Sequence, residues 1–143
     1  MCLTKVQKRR LDGFQARGLR RILGIPPAYV SRVSNAEVLR QAGALALSLQ
    51  IETAQLHLYG RLARLPYDSP LRALVFQPGG VEPVPAGLRR RGRPRLRWVE
   101  VLTTAALKTA GSAERLRVLL SNGAGAAEAW ERAVARRSVA PTA

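Results

Sequence analysis

At 143 residues, with 47% apolar and 5% aromatic side chains, the chain is long enough for one small folded domain and too apolar for wholesale disorder. Twenty-four Lys and Arg against nine Asp and Glu leave a net charge of +15, a field strong enough to attract nucleic acid or an anionic membrane surface. A single cysteine, Cys2, excludes an internal disulfide and a cysteine-based zinc site, which fits a reducing compartment.

With so few aromatics the core must be built from Leu, Val and Ala, which favours helices over sheets. No strand-like alternation and no repeat occurs, so the expected class is all-α: about six helices in two lobes, joined by a Pro/Gly-rich linker and a basic loop. From Lys5 to Leu23 the residues Val6, Leu11, Phe14, Leu19, Ile22 and Leu23 make an imperfect apolar stripe, with Arg17, Arg20 and Arg21 among the cations elsewhere on the surface. Gly24 and Pro26-Pro27 stop that helix, and Tyr29 and Val30 fall in the following loop. Ser34-Asn35-Ala36-Glu37 reads as a capping box that opens a short helix ending at Gly43. The longest helix is expected from about Leu45 to Leu65, with Leu47, Ile51, Ala54, Leu58, Leu62 and Leu65 on one core-facing side. Pro66 ends it, and Ser69-Pro70 starts a brief helical turn through Leu74.

Residues 77–87 carry three prolines and three glycines, too many for a regular element, and read as an exposed linker or loop leading to the arm. Behind it lies a cationic arm, Arg89, Arg90, Arg91, Gly92, Arg93, Pro94, Arg95 and Arg97, with no acid to neutralise it. Gly92 allows close backbone approach and Pro94 holds the chain extended, so the arm is an Arg-edged ribbon suited to phosphate. Trp98, Val101, Leu102 and Ala105 then recur at helical spacing, which makes Trp98 the structural anchor of the arm. Gly111-Ser112 marks a break and a new N-cap before a short helix carrying Leu116, Leu119 and Leu120, and a last helix runs from Ala126 to Arg137 with Trp130 and Val134 one turn apart. The boundaries implied are an N-terminal lobe over 1–76, linker and arm over 77–93, a C-terminal lobe over 94–137 and a disordered tail over 138–143.

The inventory for catalysis is poor. Asp12 and Asp68 are the only aspartates, the seven glutamates are scattered, and no adjacent pair of acids exists to hold two metal ions. His57 stands alone in mid-helix, Cys2 has no histidine near it in sequence, and Gly-rich phosphate loops are missing. No enzymatic activity, cofactor or metal is expected. What remains is binding: Arg17, Arg20, Arg21 and the arm contacting nucleic-acid backbone, RNA or DNA, with affinity falling steeply in salt and little sequence discrimination. The rival readings of the same residues are a solvated helix face and a solvated basic linker.

Several segments, in order, resemble the region downstream of the polymerase in non-LTR (LINE-type) retrotransposon reverse transcriptases. They are Phe14-Gln15-Ala16-Arg17-Gly18-Leu19-Arg20-Arg21-Ile22-Leu23-Gly24-Ile25, Val33-Ser34-Asn35-Ala36-Glu37-Val38-Leu39-Arg40-Gln41-Ala42-Gly43, Leu58-Tyr59-Gly60-Arg61-Leu62-Ala63-Arg64-Leu65-Pro66, and Arg91-Gly92-Arg93-Pro94-Arg95-Leu96-Arg97-Trp98. The resemblance implies a helical, thumb-like C-terminal extension that grips template, primer or target for an upstream polymerase domain, and no chemistry in this chain. The tyrosine-plus-two-aspartates polymerase motif is not in this chain. One departure is Gly60-Arg61, where the family commonly carries Gly-His. Met1 lies just before the first matching segment, as expected of a reading frame covering only the tail of an element, functional or degenerate.

Two alternatives stand beside this reading. Arg91-Gly92-Arg93-Pro94 also resembles the core of an AT-hook, which implies a freestanding minor-groove DNA-binding protein. The other is an inert helical product of a degenerate copy. No stretch reaches the length of a membrane span and no apolar run follows the basic start, so an intracellular place, nucleus or cytoplasm, is expected rather than secretion or insertion. The first turns have the Arg-rich character of a mitochondrial leader, against which stand Asp12 and the absence of serine before Ser31.

Overall fold

The computed structural model describes residues 3–85 and 98–139. These form eight helices, six of them of seven residues or more, and no strand among the described residues: α1 (Lys5–Leu23), α2 (Ala28–Ser31), α3 (Asn35–Gln41), α4 (Leu47–Ala63), α5 (Pro70–Ala73), α6 (Trp98–Ala110), α7 (Ala113–Leu120) and α8 (Ala126–Val139). The all-α class read from the sequence is what folds. The helix α8 runs past the expected end at Arg137, and residues 140–143 of the expected tail lie outside the described residues.

Local chemistry sets most helix ends. Thr4 and Gln7 form a complete capping box: the Gln7 amide N–H donates to Thr4 Oγ1 at 3.3 Å and the Thr4 N–H to Gln7 Oε1 at 2.9 Å. Gly24 closes α1 in the left-handed region at φ 67°, where a β-carbon would be strained. At α3 only half of the expected box is made. Ser34 Oγ accepts from the Glu37 N–H at 3.1 Å, but the Glu37 carboxylate turns to Arg40 and Gln41 instead. Ser112 caps α7 as expected, accepting from the Arg115 N–H at 3.1 Å. Tyr29 and Val30, expected in a loop, lie in the single turn α2.

The first turn of α4 has no local cap and is capped from α1. Gln15 Oε1 accepts from the Leu47 N–H at 2.7 Å, and Asp12 accepts from both the Ser48 N–H at 2.9 Å and its hydroxyl at 2.7 Å. A carboxylate placed there also meets the positive end of the helix dipole.

The chain divides into two compact units, Leu3–Glu52 and a second one beginning at Thr53. The division lies inside α4, not in the Pro/Gly-rich stretch over 77–93 that composition pointed to. In the first unit α1 packs on α3, and the buried residues are Ala16, Val38 and Arg20. The apolar stripe expected on α1 does not become a core: Val6, Phe14 and Ile22 are exposed. Polar bonds, including the Lys8–Glu52 ion pair, take its place.

The second unit holds the hydrophobic core. Leu56, Tyr59 and Ala63 of α4 meet Leu102 and Ala106 of α6, Leu116 and Leu120 of α7, and Trp130 and Val134 of α8, with Val75 and Phe76 beneath. Each fully buried Leu, Val or Phe contributes about 1.5–3 kcal/mol. The core side of α4 is therefore Leu56-Tyr59-Gly60-Ala63, not the side expected from Leu47, Ile51, Ala54, Leu58, Leu62 and Leu65; Ala54 and Leu58 are exposed. The helix is apolar on most sides, so its pattern leaves the phase open, and contacts with α8 decide it. Residues 77–85 are no free linker either. Gln77 N–H donates to the Glu82 carbonyl at 2.9 Å and Val84 N–H to the Val75 carbonyl at 3.0 Å, folding the loop back onto Phe76.

Candidate nucleic-acid interface

The side chains of α1 are sorted by the helical period. Arg10, Phe14, Arg17 and Arg21 are spaced by four, three and four residues, which puts them on one side of the helix, and all four are exposed. Phe14 is 67% exposed between cations one turn away on either side. The one acid of α1, Asp12, is held at Ser48 by the cap described above. The stripe is thus three guanidinium groups around a bare aromatic ring, with no carboxylate in its run.

Arg20, expected among the phosphate contacts, is placed otherwise. It lies one turn from Ala16 on the packed side and is 6% exposed. Its Nη1 donates to the Pro26 carbonyl at 3.1 Å and Ser31 Oγ at 3.3 Å, and its Nη2 to the Val33 carbonyl and Asn35 Oδ1. Four acceptors around one planar fork tie the α1–α3 connection to α1, a geometry that an ammonium cannot supply. Arg17 and Arg21 remain available to a ligand; Arg20 does not. The sequence reading missed Arg10 and Phe14, although their spacing from Arg17 and Arg21 is a helical one.

The arm residues Arg89, Arg90, Arg91, Gly92, Arg93, Pro94, Arg95 and Arg97 lie outside the described residues. Trp98, their expected anchor, is the first residue of α6, half-buried and packed against the core of the second unit. The deeper anchor is Trp130, 1% exposed, whose Nε1 donates to the Leu56 carbonyl at 3.2 Å.

Arginine also serves the interior of the second unit. Arg72, 4% exposed, donates to the Ala63 carbonyl and, at 2.7 Å, to the Gly80 carbonyl, with Tyr67 and Phe76 rings at 4.6 and 5.4 Å from its guanidinium carbon. Arg64 donates to the carbonyls of Gly60, Leu119 and Ala126 at 3.0, 2.9 and 3.3 Å, joining α4, α7 and α8, and burial lowers its pKa. At the surface the hydrogen bond from Arg117 is the main cause of the lowered pKa of Glu82.

His57 sits half-buried in mid-α4, and among the described residues no group of three or more His, Cys, Asp or Glu side chains is placed to hold a metal ion. Among the same residues no helix is long and apolar enough to cross a membrane. Comparison of the chain with protein-family models, with curated proteins and with solved structures gives no match.

Proposed function

We propose that this chain is a non-catalytic nucleic-acid-binding protein that grips the sugar–phosphate backbone of RNA or DNA with little sequence discrimination. The observation that carries the reading is the acid-free stripe Arg10-Phe14-Arg17-Arg21 on α1, in a chain of net charge +15. Guanidinium forks take phosphate oxygens in pairs, and an exposed ring offers a stacking surface to any unpaired base. Nothing in the stripe is arranged to read a base edge, so register is set by the backbone alone. The Arg89–Arg97 segment adds six further cations by sequence. The function is also the one implied by the resemblance of the chain to the post-polymerase region of non-LTR reverse transcriptases.

The test is binding of the purified chain to labelled RNA, mixed-sequence duplex and A·T-rich duplex across a salt series. The comparison is with Arg10→Gln/Arg17→Gln/Arg21→Gln, with Phe14→Ala, and with all six arm arginines changed to alanine. Removing the three α1 arginines makes the dependence of log K on log salt shallower by about 2 on a single strand. Phe14→Ala weakens single strands by about 1–3 kcal/mol and duplex far less. An A·T preference abolished by Arg93→Ala would move the reading to minor-groove recognition. No binding to any of the three at low salt would overturn it.

A further inference from the structure

The second unit carries a basic surface that neither the sequence pattern nor the resemblance singles out. Two adjoining hollows of about 650 and 460 Å³ share Arg115 of α7 and Ala133 and Arg136 of α8 in their walls. The first adds Arg132, and the second adds Lys108 and Arg137. Together they form an open trough from the last turn of α6, past α7, along α8. No acidic residue lines either hollow, although α7 and α8 carry Glu114, Glu128 and Glu131.

The cations differ in how far they are committed. Arg137 donates to the Ala105 carbonyl at 3.1 Å and Thr109 Oγ1 at 3.3 Å, which fixes it as part of the wall. Arg132 and Arg136 each bond a main-chain carbonyl one turn back through Nε, at 3.4 Å, which leaves the Nη pair of each fork for a ligand. Arg115 and Lys108 are exposed. The floor, Leu119, Ala129 and Ala133, is aliphatic and offers neither a ring for a base nor an amide for a peptide backbone.

We propose that this trough is a second phosphate-backbone site, which takes the sugar–phosphate strand of a nucleic acid through Arg115, Arg132 and Arg136. Arg132 and Arg136 stand one helical turn apart, about 5–6 Å between β-carbons, the scale of successive phosphates on one strand. Planar forks above a smooth apolar floor suit tetrahedral oxyanions in a row and supply nothing that distinguishes one base from another. The inference rests on the nucleic-acid-binding reading but uses different residues from the α1 stripe, so the two can fail separately.

The experiment titrates a labelled single-stranded RNA into the full chain, the trough variant Arg115→Gln/Arg132→Gln/Arg136→Gln, its Arg→Lys counterpart and the α1 variant, across a salt series. Circular dichroism and thermal melting of each confirm the fold. The trough variant is expected to bind about tenfold or more weakly at low salt, with a salt slope shallower by about 2, and the lysine counterpart to recover most of the slope. A trough variant that binds like the parent, while the α1 variant is impaired, overturns the trough and leaves the α1 reading intact. Loss confined to the trough variant supports the trough against the stripe. A parent chain that binds no RNA sinks both. Polyglutamate held as tightly as RNA at equal salt, and lost in the trough variant, would assign the site to acidic polypeptide instead.

Discussion

A β-carbon on Gly60 would stand 2.3 Å from Nε1 of Trp130. The indole lies against the bare backbone of α4, and its N–H is spent on the Leu56 carbonyl one turn earlier. Neither side can yield: one is a helix backbone, the other a fully buried ring. An alanine in a free helix is favoured over glycine by about 1 kcal/mol, whereas overfilling a packed core costs about 1–3 kcal/mol. Gly60→Ala is therefore expected to lower the unfolding free energy in urea despite its better propensity. The loss should shrink in a Trp130→Leu background. A Gly60→Ala protein more stable than the parent would show that the ring does not occupy this place.

Three neighbouring arginines of α1 should respond differently to the same change. Arg20→Lys removes a fork with four acceptors and is expected to destabilise the Leu3–Glu52 unit by about 2–3 kcal/mol, as for bonds made by a buried charged group. Arg17→Lys and Arg21→Lys, both exposed, should stay within about 0.5 kcal/mol. Amide hydrogen exchange over α1 to α3 reads the difference directly.

The cap that α1 supplies to α4 makes a non-local prediction. Asp12→Ala strands the Ser48 N–H and hydroxyl together and should cost about 1–2 kcal/mol, the range of a lost helix cap. Exchange protection should fall at the first turn of α4, more than thirty residues away in sequence, with little change at α7 or α8. Protection lost evenly along α1 and nowhere in α4 would count against the cap.

Glu37 carries an acid-side prediction. Arg40 donates to its two carboxylate oxygens at 2.8 and 2.6 Å, Gln41 adds a bond at 2.8 Å, and these bonds, Arg40 first, hold the carboxyl down at about 2 against an ordinary 4.5. The folded value lies below the unfolded one. The stabilisation is thus complete above about 4.5 and is lost as pH falls towards 2. An NMR titration of the Glu37 side chain should show the low midpoint, and Arg40→Ala should move it back up.

Tyr59 gives the alkaline counterpart. Its hydroxyl is 3.0 Å from Thr103 Oγ1, and Thr103 spends its own proton on the Val99 carbonyl at 2.8 Å, so the tyrosine must be the donor. Burial is the main cause of its raised pKa; the Thr103 hydroxyl, by turning to donate to the phenolate once it forms, opposes the rise, and the charge of Glu82 adds to it. Stability from this group is present below the unfolded tyrosine value, about 10, and lost as pH rises through the higher folded value. Tyr59→Phe should remove a late-ionising phase from an ultraviolet-monitored alkaline titration.

What the sequence disclosed was local. Gly24, Pro26-Pro27, Ser34, Pro66 and Ser112 act within a turn or two, and helix ends fall close to where they point. The capping box at Thr4 and Gln7 is equally local and was there to be seen. The phase of α4 was not, because apolar residues surround that helix and Gly60 marks the core side only once Trp130 is in place. Charge told even less about position. Arg17, Arg20 and Arg21 look alike in a sequence, and only the direction of Ala16 and the acceptors at Pro26 and Val33 separate an internal strut from a surface cation.

The internal arginines divide two effects of ionic strength. Arg20 and Arg72, both buried, bond neutral main-chain carbonyl oxygens at contact distance. Mobile ions screen charges that are apart and exposed; they do little to a guanidinium against a carbonyl dipole in a water-poor interior. A rising salt concentration should therefore strip anions from the surface of this protein while its melting temperature holds steady or climbs as the crowd of like charges is quieted. Release and unfolding become separable by a single dial.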